Sequence, residues 1–152
     1  IAEILRVAAL VGSAGKHGDS ARALSLVWSP YRREALYLKS RVVMAARAAG
    51  KIPIGGLWHQ VKDLEGQEEA SRLDRQLGMS GELILHPGQV EVANRAYNLT
   101  VEEIAYYRGM IEVLEKAQVG GRASVLYEGE HIDIAHVNTA RTMIEMAEEF
   151  GC

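Results

Sequence analysis

The chain alternates short, wholly apolar runs with helix-period segments, and this alternation constrains its fold more than any other feature. Val7–Val11 (VAALV) is apolar throughout and closed by Gly12. Such a run fits a strand buried on both faces. Residues 52–58 (IPIGGLW) predict a second strand, and residues 82–86 (ELILH) a third, broken by Pro87. Between the first two, Leu36, Leu38, Val42, Val43, Ala46 and Ala49 recur at three- and four-residue steps, and Gly50 stops the helix they predict. Ser29-Pro30 marks its start, since serine caps free N–H groups and proline suits a first turn. Asp63 is placed to cap a helix over about 66–77, with Gly78 as its stop. Strands alternating with helices imply parallel β/α units, so the fold class is α/β.

After the third strand the pattern changes. Residues 89–97 read as a helix, and Thr100 with Glu103 is the capping-box pair of a longer one, striped by Ile104, Tyr107, Ile111 and Leu114. Residues 123–127 and 131–134 flank Glu128-Gly129-Glu130 and predict a small hairpin. A last helix spans about 135–150. The expected organisation is therefore β/α units over residues 1–97 and a helical and hairpin extension over 98–152.

Composition narrows the function. The 152 residues are 48% apolar and 24% charged, with net charge -3. A mildly acidic chain is not drawn to nucleic acid or to a membrane surface. No apolar run approaches the roughly 18 residues of a membrane span. The chain opens on Ile1 as if inside a helix, which suggests truncation or processing, and no charged-then-apolar leader is visible. Its one cysteine, Cys152, has no disulfide partner, so a reducing cytoplasm is expected.

Four stretches carry a resemblance: LYLKSRVVMAARAAG at 36–50, IPIGGLWHQVKDLEG at 52–66, LILHPGQVEVAN at 83–94, and the tail VEEIAYYRGMIEVLEKAQVGGRASVLYEGEHIDIAHVNTAR at 101–141. In order and spacing they resemble the C-terminal half of the citrate lyase β-subunit and malyl-CoA lyase family, the HpcH/HpaI aldolase class. The resemblance implies the C-terminal portion of a (β/α)8 TIM-type barrel with a helix and β-hairpin appendage, residues 1–97 supplying partial barrel units. It implies carbon–carbon bond cleavage or formation beside a CoA thioester, as with malyl-CoA or a citryl-type thioester. The cofactor would be Mg2+ (or Mn2+), which stabilises the developing enolate. A homo-oligomer, trimer or hexamer, is the implied assembly.

Residue by residue, Asp133 in EGEHIDIAHV matches the family's tail aspartate, an acid/base that serves a neighbouring subunit; a turn or helix-cap aspartate is the alternative. Asp19 is the candidate metal ligand. The family's metal aspartate stands nearer its strand, where this chain has Gly15 or Lys16, so a surface aspartate capping a turn at 20–24 stays open. His86 and Pro87 match the family's Ile-His-Pro element and would line the substrate path. Gly55 and Gly56 would let backbone approach a ligand closely, or would relieve packing. The family's metal glutamate and substrate arginines have no counterpart here.

Other constellations compete. His131, Asp133 and His136 form H-x-D-x-x-H, which is not a standard zinc spacing. The loop after the first strand, GSAGKHG, is not a phosphate-binding P-loop, although Lys16 could reach a CoA phosphate. Ser13 or Ser20 with His17 lacks a nucleophile-elbow pattern. Two further readings remain: a non-catalytic assembly or carrier-interaction subunit that completes a separate N-terminal half, and a metal-dependent aldolase on free 2-oxo acids.

Overall fold

A computed structural model describes residues 6–13, 15–29 and 32–149 of the chain. Ile1, Pro30, Phe150 and Cys152 lie outside them. The chain forms two compact units, Ile1–Tyr97 and Asn98–Cys152.

The first unit begins with β1 (Ala9–Val11), then α1 (Asp19–Ala23), α2 (Arg33–Ala48) and β2 (Ile52–Ile54). It continues through α3 (Leu64–Gln76), a 3-10 turn (Pro87–Gln89) and α4 (Val90–Tyr97). β1 and β2 pair in parallel, Ala9 opposite Ile52 and Val11 opposite Ile54. α2 is the crossover that returns the chain between them, as parallel pairing requires.

The third expected strand, at 82–86, is corrected by the structure. The segment runs beside β2 only briefly: Ser80 N–H donates to Pro53 O, Gly55 N–H to Gly81 O, and Leu83 N–H to Gly55 O. A single parallel bridge, Gly55 to Glu82, results. Beyond it the amides of Leu85 and His86 donate to the Gln89 side-chain oxygen instead of to a strand. Leu83, Ile84 and Leu85 are left exposed. The ladder ends because a glutamine competes for its donors. The described residues thus form an α/β unit with few strands.

Ser29 does not cap α2. Its amide and hydroxyl both donate to the Glu34 carboxylate, at 2.9 and 2.6 Å. Arg32, in the left-handed region at φ 51°, stands at the N-cap without a side-chain bond to the helix. Asp63 does cap α3, accepting from Gly66 N–H at 3.0 Å.

The second unit contains α5 (Val101–Val119), β3 (Ser124–Tyr127), β4 (Glu130–Asp133) and α6 (Ile134–Glu149). The capping box of α5 is formed in both directions, with Glu103 N–H donating to Thr100 Oγ1 and Thr100 N–H to the Glu103 carboxylate. β3 and β4 pair antiparallel through a turn at Glu128 and Gly129, both with positive φ. Met110, Leu114, Ile132, Val137 and Ala140 make the core, with Tyr106, Tyr107 and Tyr127 packed against it. Gly109 is required in α5, because a methyl there would collide with the Tyr127 hydroxyl. Among the described residues no helix is long and apolar enough to cross a membrane.

Candidate functional site

The loops that leave the C-terminal ends of the parallel strands carry most of the sequence candidates of the first unit. This is the edge where α/β sheets place ligands. Behind it lies a buried polar layer that periodicity did not announce. α3 buries Gln67, Ala70, Ser71 and Asp74, a single helical face of which three members are polar. α2 buries Lys39 opposite them. Lys39 Nζ donates to Asp74 Oδ1 at 2.5 Å. Gln67 Nε2 and Ser71 Oγ each donate to a Glu82 oxygen, at 2.7 and 2.8 Å. Gln67 also reaches Gln89 O, and Gln89 Nε2 reaches Trp58 O.

Burial, then the nearby Asp74 charge, pushes the Glu82 carboxyl above its ordinary value, although the Gln67 and Ser71 donors work against this. Burial also pushes the Tyr97 phenol up. A cavity of about 20 Å³ sits against Lys39, Asp74, Glu82, Gly56 and Trp58, room for about one water. Gln67 Oε1 and Tyr97 Oη are buried without a hydrogen-bond partner.

Gly55 and Gly56 have specific neighbours here. A side chain on Gly55 would run into the Asp74 carboxylate, and one on Gly56 into the Leu83 backbone. Gly56 also has φ of 89°, a region that favours glycine. His86 caps the 3-10 turn: its Nδ1 accepts from Gly88 N–H at 3.0 Å, and Pro87 follows in the first turn. Both are exposed.

Asp19 opens the five-residue α1, and its carboxylate is ion-paired with Arg22 in the same helix. Its side chain is 95% exposed. The pocket nearest this loop, about 270 Å³, is lined by Lys16, His17, Ala21, Leu26, Trp28 and Glu34, and not by Asp19. Magnesium takes several hard oxygen ligands at once. Four acids of this unit have partners of their own: Asp74 pairs with Lys39, Glu82 with Gln67 and Ser71, Asp63 with the α3 cap, and Glu34 with Ser29. Among the described residues no three His, Cys, Asp or Glu side chains gather to hold an ion. Magnesium is commonly held by one or two protein carboxylates completed by water and substrate oxygens, and Asp19 is the exposed carboxylate of this unit that the sequence offers for it.

The second unit holds the other candidate. Asp133 ends β4 and stands just before α6, where its Oδ1 accepts from the amides of Ala135 (2.9 Å) and His136 (3.4 Å). The same oxygen lies 2.8 Å from His136 Nδ1. The His136 bond first, then the two amides, hold the Asp133 carboxyl below its ordinary value. Asp133 therefore takes the helix-cap geometry and also orients an imidazole. His136 lines an open pocket of about 300 Å³ with Tyr107, Met110, Ala135 and Thr139. His131 does not join the pair, so H-x-D-x-x-H forms no zinc cluster among the described residues. The i, i+3 spacing of Asp133 and His136 was the available signal for the pair.

Comparison with known proteins gives the arrangement a context. No family model matches the chain. A (3S)-malyl-CoA thioesterase of Cereibacter sphaeroides is 29% identical over 150 residues, 97% of this chain and 52% of that protein. An L-malyl-CoA/beta-methylmalyl-CoA lyase of the same species is 30% identical over 112 residues, 74% of this chain and 35% of that protein. The crystal structure of CitE from Mycobacterium tuberculosis, in complex with magnesium, acetoacetate and coenzyme A, superposes with a TM-score of 0.73 at 26% identity, covering 90% of this chain and 51% of that one. A citrate lyase from Burkholderia xenovorans shares the fold, with a TM-score of 0.66 at 22% identity over 79% of this chain and 37% of that one. The chain spans about half the length of the curated relatives it matches most fully. The chain is thus similar, at modest identity, to malyl-CoA thioesterase and malyl-CoA lyase proteins and in fold to a citrate lyase β-subunit-like protein, over their C-terminal half.

Proposed function

We propose that the protein acts on a short-chain hydroxyacyl-CoA of the malyl-CoA type, cleaving it beside the thioester carbonyl, with Asp133 and His136 as its acid/base pair. The observation that carries this reading is the 2.8 Å contact between Asp133 Oδ1 and His136 Nδ1 at the rim of the α5–α6 pocket. In the tautomer that carries its proton on Nδ1, the ring donates to the Asp133 carboxylate and leaves Nε2 free to take a proton. In a lyase, His136 Nε2 would take the proton of the substrate's β-hydroxyl. The Cα–Cβ bond then breaks to an aldehyde and a thioester enolate, and the enolate carbon regains a proton. In a thioesterase, the same nitrogen would take a proton from the water that attacks the thioester carbonyl. The thioesterase relative, similar over 97% of this chain, favours keeping this second outcome in view. Magnesium accompanies the CitE neighbour; bound here it would supply positive charge to the developing enolate, with Asp19 as this chain's ligand. Assembly as a trimer or hexamer, with Asp133 serving a neighbouring subunit, belongs to the same proposal.

Product analysis with malyl-CoA tests both parts. Lyase action releases glyoxylate and leaves the thiol acylated, whereas hydrolysis releases malate and free CoA thiol. Asp133→Asn and His136→Gln should each lower turnover by roughly 100-fold or more, the ordinary range for a general base. Turnover unchanged in both variants, with helical circular dichroism intact, would remove the pair from the mechanism.

A further inference from the structure

We infer that Lys16 is the fixed cation of a carboxylate-binding pocket at the C-terminal edge of β1, a task the family resemblance gives to a metal ion held by an aspartate at this place along the chain. The pocket of about 270 Å³ has apolar walls, Ala21, Leu26 and Trp28, and a polar rim of Lys16, His17 and Glu34. Among the described residues Lys16 has no carboxylate partner, while the neighbouring Arg22 is paired with Asp19. Glu34 is not available to Lys16 in the same way: both its oxygens accept from Ser29. Burial raises the Glu34 carboxyl, but the Ser29 donors and the Arg32 charge outweigh it, so the carboxylate stays ionised and engaged. A ligand entering this pocket meets the Lys16 ammonium, which has no carboxylate partner among the described residues, a Glu34 carboxylate already held by Ser29, and the apolar Ala21, Leu26 and Trp28. That matches a singly charged carboxylate with a short carbon body. It does not match a phosphate dianion, which needs several donors to replace its water. It does not match a divalent cation, which Lys16 repels. The inference deepens the proposed thioester chemistry, and rests on it only for which acid is bound.

Trp28 lines the pocket and lies 6.2 Å from the Trp58 ring, so tryptophan fluorescence reports on it. The whole protein would be titrated with butanoate in excess EDTA, with inorganic phosphate and with magnesium chloride alone. The inference expects a saturable change with butanoate, weakened about tenfold or more in Lys16→Met and largely kept in Lys16→Arg. Added magnesium should leave the butanoate affinity unchanged. Equal affinity in Lys16→Met, equal affinity for phosphate, or butanoate binding that appears only with magnesium would each overturn it. Turnover of malyl-CoA is read separately. A protein that binds butanoate through Lys16 but leaves malyl-CoA intact removes the thioester reading alone. One that cleaves malyl-CoA with no Lys16-dependent acid binding removes this inference alone.

Discussion

At the scale of single residues, the buried polar layer of the first unit sets a measurable pH dependence. Glu82 is a carboxyl whose folded value is raised, chiefly by burial. Between its unfolded value of 4.5 and the raised one, the folded state holds the proton more tightly. The contribution of Glu82 to stability is therefore greatest at low pH and declines as pH rises through the folded value. Urea midpoints of the wild type minus those of Glu82→Gln should fall as pH rises from about 4.5 to 8. A rising difference would contradict the burial described. No apolar pattern announces this layer, because Lys39, Gln67, Ser71 and Asp74 are residue types usually left in water. What was legible at this scale was the Asp133 segment, since an aspartate ahead of an apolar helix has few roles, capping among them. Asp19 was legible as a loop carboxylate, but its pairing with Arg22 depends on a short helix that no apolar pattern announces.

At the scale of elements, the helices with caps in their sequence are the ones the sequence located well. Thr100 and Glu103 form the expected box, and Asp63 the expected cap. Thr100→Ala should cost about 1 kcal/mol of stability in the second unit, read as a lower urea midpoint. No change would show that the box is not formed in solution. The hairpin was legible from the Gly129 turn between two alternating runs. The strand expected at 82–86 was not, because its apolar residues match a strand and its fate is decided by Gln89, three to four residues beyond its last donors. The start of α2 was misplaced for a similar reason: the Ser29 hydroxyl has a competing acceptor in Glu34, five residues on. Periodicity records which residues face inward, and it is silent on which side chain takes a backbone donor. Across α3 and α4, Glu68 ties the two helices by bonding Arg95 and Arg72, which hold its carboxyl down to about 2.

At the scale of the whole molecule, the resemblance was legible because four separated stretches agreed in order, while the barrel portion it implied is represented among the described residues by two paired strands and one bridge. The outer edge of β1 pairs with no other strand among the described residues, and Val11 on it is 47% exposed. Such an edge is ordinarily covered by another segment or another chain. Function at this scale rests on one claim, that the protein transforms a malyl-type CoA thioester. The most direct measurement is to incubate the purified protein with malyl-CoA and resolve the CoA species over time by liquid chromatography and mass spectrometry. The account predicts that malyl-CoA disappears well above the buffer rate, giving either acetyl-CoA with glyoxylate or free CoA with malate. Malyl-CoA that decays only at the rate of buffer alone would contradict it.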